Sequence, residues 1–180
     1  MLRTARLILR PWRDTDLEPV ARISADPDVM RYFHITRTRA QSDAWVGRTQ
    51  AHIERHGFGV WAVELIETSE LIGFTGLVHV PEDLPCAPAV EAVWTLGRHW
   101  WRQGFCTEAA TAALHDGFAR LAFPEILAFT ASTNVASQAV MRKLGMRHDP
   151  MADFDHPRVP RGHALASHVL YRLKADQVFG

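Results

Sequence analysis

The sequence has only two cysteines, Cys86 and Cys106. Their separation fits neither a disulfide framework nor a metal-ligand pair. So few thiols suit a reducing, cytoplasmic compartment. There is no excess charge: Lys plus Arg and Asp plus Glu stand at 20 each over 180 residues. That balance excludes a general electrostatic footprint for nucleic acid or anionic lipid. No apolar run approaches the ~20 residues that span a bilayer. The apolar start is broken by Arg3, Arg6 and Arg10, which does not suit the core of a secretion signal. Internal repeats and low-complexity tracts are missing as well. With 47% apolar and 22% charged residues the chain can bury a core, and residues 1–180 are expected to form a single domain.

What is present is a series of local signals. Residues 6–10 alternate as a strand stopped by Pro11. Asp14, Thr15 and Asp16 offer helix caps before a short helix to about Ala25, which Asp26-Pro27-Asp28 breaks. Thr38 and Gln41 stand at capping-box spacing before a helix to His56, with Gly57 where a left-handed terminal residue belongs. Residues 58–65 and 71–80 read as a hairpin, and 90–96 as a further strand. Residues 108–121 carry Ala110, Ala113, Leu114, Phe118 and Leu121 at helical spacing. Residues 126–131 suit a buried strand, 137–144 a short helix closed by Gly145, and 168–173 a last strand. A polar, proline-containing stretch separates the last two. Strand, helix and strand from Val90 to Ala131 make a parallel crossover, whereas the hairpins are antiparallel. The expected fold class is therefore mixed α/β.

The turn after the strand at 90–96 draws attention. Trp101-Arg102-Gln103-Gly104-Phe105-Cys106-Thr107 joins it to the strongest helix of the chain. A helix N-terminus offers unpaired N–H groups and partial positive charge, glycine lets a ligand approach, and Arg102 adds a formal charge. Neither a Walker loop nor G-x-G-x-x-G is present, which disfavours a nucleoside triphosphate or NAD.

The stretch VEAVWTLGRHWWRQGFCTEA, residues 90–109, resembles motif A of the GNAT superfamily of acyl-CoA N-acyltransferases, most of all its RimJ/RimL branch. NVASQAVMRKLGM, residues 134–146, resembles a second motif of that branch. TARLILRPWRDTDLEPV and LIGFTGL are similar to its opening strand and helix and its third strand. The resemblance implies the GNAT fold: a mostly antiparallel mixed sheet of about six to seven strands with one splayed parallel pair, and about four helices. It implies acetyl-CoA (coenzyme A) as cofactor and a primary amine as acceptor, either a small molecule or a protein N-terminus. It implies no direct binding to nucleic acid or membrane, and homodimers are common in the branch.

Carried over by motif, the cofactor-binding residues are Arg102, Gln103, Gly104, Phe105, Cys106 and Thr107 for the diphosphate. Thr95, Leu96 and Gly97 follow for pantetheine. Asn134 is a further contact, and Ser137 is the cap of the next helix beside the thioester sulfur. Trp101 and Cys106 depart from the superfamily pattern at its first and last positions. Met141 stands where many members place a tyrosine acid.

Acetyl transfer needs a neutral amine, a polarised carbonyl and a leaving thiol. Glu91 is the candidate base, with His79 and His168 as alternatives, and Ser137 is the candidate acid or, alternatively, only a helix cap. A main-chain N–H near Leu96 is the candidate oxyanion donor. Cys106 at a helix start leaves open a ping-pong route through a thiolate of lowered pKa. Met141 leaves open a non-catalytic acyl-CoA-binding module. His52-Ile53-Glu54-Arg55-His56 has the spacing of a helical zinc pair but lacks the glutamate position of that motif, and no metal is expected. Tyr32-Phe33-His34 and residues 153–163 are the expected acceptor-side segments.

Overall fold

The computed structural model describes residues 1–33 and 35–179; His34 lies outside them. Its centre is a nine-stranded sheet. In chain order the strands are β1 (Leu2–Arg3), β2 (Leu7–Arg10), β3 (Val60–Leu65), β4 (Leu71–His79) and β5 (Val90–Leu96). They continue with β6 (Glu125–Ala131), β7 (Arg147–His148), β8 (Phe154–Asp155) and β9 (Ser167–Lys174). Spatial order is β1-β2-β3-β4-β5-β6-β9-β7, with β8 also paired to β9. Among the described residues β5 and β6 form the only parallel pair.

The helices are α1 (Leu17–Ala25), α2 (Arg39–His56), α3 (Phe105–Ala119), α4 (Val135–Lys143) and the short α5 (Asp176–Phe179). α3 and α4 cover one face of the sheet. Ala113, Leu114 and Phe118 of α3 and Met141 of α4 pack there on Leu77, Ala92, Ile126 and Leu9. α1 and α2 cover the other face, where Val20 and Val46 meet Trp12, Val60 and Phe74. Each large apolar side chain so buried contributes roughly 1.5–3 kcal/mol. Among the described residues, no helix is long and apolar enough to cross a membrane.

Three expectations need correction. The strongest helix begins at Phe105, a turn earlier than Glu108, because the glycine before it takes the special conformation and not a residue within the helix. The helix expected from Ser137 begins at Val135, and its cap is Asn134, whose Oδ1 accepts from the Ser137 N–H at 3.2 Å. The polar stretch after Met146 contains β7 and β8, two-residue strands recruited by β9. They are too short to show a period of two.

Candidate active site

The sheet opens between β5 and β6. β4 and β5 pair from Gly73↔Leu96 to His79↔Val90, and β6 and β9 pair from Glu125↔Lys174 to Ala131↔His168. β5 and β6 register only at Glu91↔Leu127. Beyond that point toward their C-terminal ends the strands part. Gly97 gives its N–H to Ile72 O at 2.9 Å. By ladder alternation the main-chain groups of Leu96 then turn away from β4, toward the gap. The Trp101 indole N–H donates to Leu96 O at 2.8 Å from across the turn. Thr95 and Gly97 flank Leu96, both partly exposed.

The turn is built to expose amides. Arg102 has φ 62 and Gly104 φ 84, two left-handed residues with one between them. Arg102 holds a conformation most side chains avoid. α3 has no side-chain cap, and its first intrahelical bond runs from Glu108 N–H to Gly104 O at 3.0 Å. Among the described residues, the main-chain N–H groups of Gly104, Phe105, Cys106 and Thr107 meet no main-chain or side-chain acceptor. They are the orphan donors of a helix start, aligned with the positive end of its dipole. Trp101, Arg102, Gln103 and Gly104 are exposed, while Phe105 is buried and anchors the turn. A groove of about 930 Å³ continues from Gly104 and Thr107 along the outer side of α3 to Lys143.

This turn is braced from a distance. Glu108 accepts the Thr4 hydroxyl at 2.6 Å and the Arg6 main-chain N–H at 2.9 Å on one oxygen. Its other oxygen takes the Arg6 guanidinium at 2.7 Å. Burial alone would raise this carboxyl, but the Thr4 and Arg6 contacts outweigh it and hold it below the usual range. Sequence reasoning missed the brace. Arg6 and Glu108 lie 102 residues apart, and no local periodicity joins them.

Glu91 faces the α1–α2 side of the sheet with its register partners Val78 and Leu127. Its carboxyl is only partly exposed, and desolvation pushes it up to about 8. His79, one residue along from Val78, points to the opposite face. It packs beside Phe58, a neighbour of Leu77 and Phe118, and also touches the C-terminal turns of α2 at His52 and His56, at centroid distances of 5.0, 5.8 and 5.0 Å. The sheet thus separates His79 from Glu91. His168 is buried on the Glu91 face, beside Phe129, Phe154 and His156. Desolvation lowers its pKa, and its Nδ1 lies 3.1 Å from Ala166 O.

Asn134 is buried and its amide is engaged: Nδ2 donates to Thr130 Oγ1 at 2.9 Å and Ser137 Oγ at 3.1 Å. Its side chain therefore shapes the start of α4. Ser137 is partly exposed there, and its hydroxyl oxygen is an acceptor. Cys106 is partly exposed at the start of α3. Burial pushes its thiol up to about 12, opposite to what a nucleophile requires. Met141 is buried in the core among Leu114, Phe118 and Ile126. Among the described residues no group of three or more His, Cys, Asp or Glu is set to hold a metal ion.

A mixed sheet that opens at its one parallel pair, beside an uncapped helix start, defines a mixed α/β architecture with an anion-accepting turn at the opening. Residues 6–147 match the model of the Acetyltransferase (GNAT) domain, and the chain belongs to that family. The family uses acetyl-CoA. The protein YkkB of Bacillus subtilis is 31% identical over 148 residues, covering 82% of this chain and 85% of that one. FsC-acetyl coenzyme A-N(2)-transacetylase of Aspergillus fumigatus is 29% identical over 156 residues, covering 82% of this chain and 65% of its own length. The acetyltransferase (GNAT family) from Bacillus anthracis superposes with a TM-score of 0.81 over 97% of this chain and 98% of that one, at 24% identity.

The residues present fit the cofactor. Four adjacent amides stand open to a diphosphate, and the adjoining gap presents the main chain of Leu96.

Proposed function

We propose that this chain is a cytoplasmic acetyl-CoA-dependent N-acetyltransferase of RimJ/RimL type. It acts on a primary amine, a small molecule or a protein N-terminus, by direct attack in a ternary complex. One observation carries the reading: the uncapped start of α3 lies at the mouth of a parallel strand pair held at a single register position.

Acetyl-CoA supplies a thioester whose thiol, with a pKa near ~8.5, is a fair leaving group without an acid. The protein's part is placement and charge. The N–H groups from Gly104 to Thr107 bind the diphosphate, and exposed Arg102 and Gln103 border it. The end of β5 at Thr95 and Leu96, with Gly97 after it, lines the pantetheine path, and the Leu96 main chain faces it. The Leu96 N–H polarises the acyl carbonyl where negative charge develops. Glu91, with its carboxyl pushed up to about 8, takes the ammonium proton of the acceptor. A base of that pKa matches its task near neutral pH and is ionised above it. Asn134 donates to Ser137 Oγ, which leaves the hydroxyl proton of Ser137 free to meet the departing sulfur.

Transfer to a broad panel of amines, followed by thiol release, tests the reading. Turnover on at least one amine is expected, with sequential kinetics. Buried Met141 favours a second reading, a non-catalytic acyl-CoA-binding module, because it offers no proton in place of tyrosine. Tight coenzyme A binding without turnover on any amine supports that second reading and rejects the first.

A further inference from the structure

Arg6 makes more contacts with the turn than an ion pair requires. Its Nε and Nη2 each reach Glu108 Oε2 at 2.7 Å. Its Nη1 donates to Gln103 O at 3.1 Å. Its guanidinium carbon lies 4.2 Å from the Phe105 ring centroid. A Cβ on Gly104 would come within 3.3 Å of Nη2. One planar group thus grips the residue before Gly104, the residue after it, and the first turn of α3.

We propose that Arg6 is a positioning residue that aims the diphosphate-binding amides. This inference rests on the acetyl-CoA reading above. A trans peptide sets its C=O and N–H in opposite directions. Holding Gln103 O toward Arg6 therefore turns the Gly104 N–H away from it. Gly104 at φ 84 has no side chain to hold that orientation. Without the grip the Gln103 carbonyl loses the hydrogen bond that aims it, and what then holds the turn is the Gln103 side chain, whose Nε2 donates to His99 O at 2.9 Å, and the Glu108 N–H on Gly104 O at 3.0 Å. At the far end Glu108 is fixed by Thr4 and Arg6, which sets the axis of the first turn. Glu108 also balances the guanidinium charge, so Arg6 acts through geometry rather than as a bare cation. Lysine carries the charge but not the fork, and it cannot hold Glu108 and Gln103 together.

Coenzyme A and pantetheine separate the two roles, because pantetheine lacks the diphosphate. Dissociation constants for both are measured by amide-shift NMR titration in wild type, Arg6→Lys, Arg6→Met and Glu108→Gln, with melting temperatures alongside. Expected is a loss of about tenfold or more for coenzyme A in all three variants, about 1.4 kcal/mol. Pantetheine affinity is expected to stay within about twofold on the same scale. Arg6→Lys binding coenzyme A like wild type overturns the inference in favour of charge alone. Equal weakening toward both ligands overturns it in favour of a general structural role. If Arg6→Met does not fold, Arg6→Lys and Glu108→Gln still decide. Wild type that binds coenzyme A while the variants match it removes only this inference; wild type that binds neither ligand removes the acetyl-CoA reading as well.

Discussion

α2 and α3 begin in opposite ways. Thr38 accepts the Gln41 N–H, and the Gln41 side chain returns to the Thr38 N–H at 2.8 Å. That end is closed on itself. α3 starts from left-handed Gly104 with no side-chain cap, and its amides stay open. A capped helix end contributes about 1 kcal/mol to stability. An uncapped one forgoes that and keeps a ready anion site. The two starts show how one backbone element serves the fold in one place and a ligand in another. The choice depends on whether the preceding residue carries an oxygen or no side chain at all.

The strongest way to break the contrast is to close the open end. Gly104→Val puts a branched side chain at φ 84, against Arg6. Coenzyme A affinity measured by calorimetry should fall about 100-fold or more, ~2.7 kcal/mol. Undiminished affinity would remove the turn from the site.

Next comes the chemistry that the open end serves. Glu91→Gln should lower kcat/KM about 100-fold and leave coenzyme A binding unchanged. In wild type the rate should rise with pH through about 8, as the carboxyl ionises. The variant should lose that limb of the profile. An identical pH–rate profile in both would take Glu91 out of the mechanism, and buried His168 on the same face would become the base to test.

The closed end should respond in stability alone. Thr38→Ala is expected to cost about 1 kcal/mol in chemical denaturation with coenzyme A affinity intact. A loss of affinity there would mean that the two helix ends are not independent.

The other end of α2 sharpens the contrast through pH. Burial, with minor repulsion from neighbouring His56, holds His52 and His79 below the usual imidazole value; Arg55 and His79 add to it at His52. The unfolded chain takes up protons near pH ~6.5 while the folded one resists. Stability should therefore fall as pH drops below that point. Melting temperatures from pH 7 to 5 should decline less steeply in a His52→Gln/His79→Gln variant. Equal slopes would rule out this cluster as a source of acid lability.

The smallest effect is expected at Cys106. Cys106→Ala should keep activity within about twofold, since desolvation pushes this thiol up, away from the reactive thiolate. Mass spectrometry after acetyl-CoA alone should find no acetyl group on it. An acetylated Cys106 and an inactive alanine variant would restore the ping-pong route.

The closed helix was legible in sequence from end to end, because Thr38, Gln41 and Gly57 are local signals with local causes. The open one was placed a turn late. The sequence marks Gly104 to Thr107 as an anion-binding turn but puts the first helical residue at Glu108, because a helix start without a capping side chain has no local signal of where it begins. The same limit shifted the start of α4 from Asn134 to Ser137: both residues can cap, and only the geometry selects Asn134. Strand faces were out of reach too. His79 and Glu91 lie on neighbouring strands, and the register Val78↔Glu91 alone puts them on opposite faces. The Arg6–Glu108 brace, spanning 102 residues, belongs entirely to the tertiary fold.

Proton–nitrogen NMR of the wild-type chain titrated with coenzyme A tests the central claim most directly. The account predicts large downfield shifts at the amides of Gly104, Phe105, Cys106 and Thr107, with those of Arg39, Ala40 and Gln41 unmoved. Saturable binding that leaves the first four amides in place would contradict it.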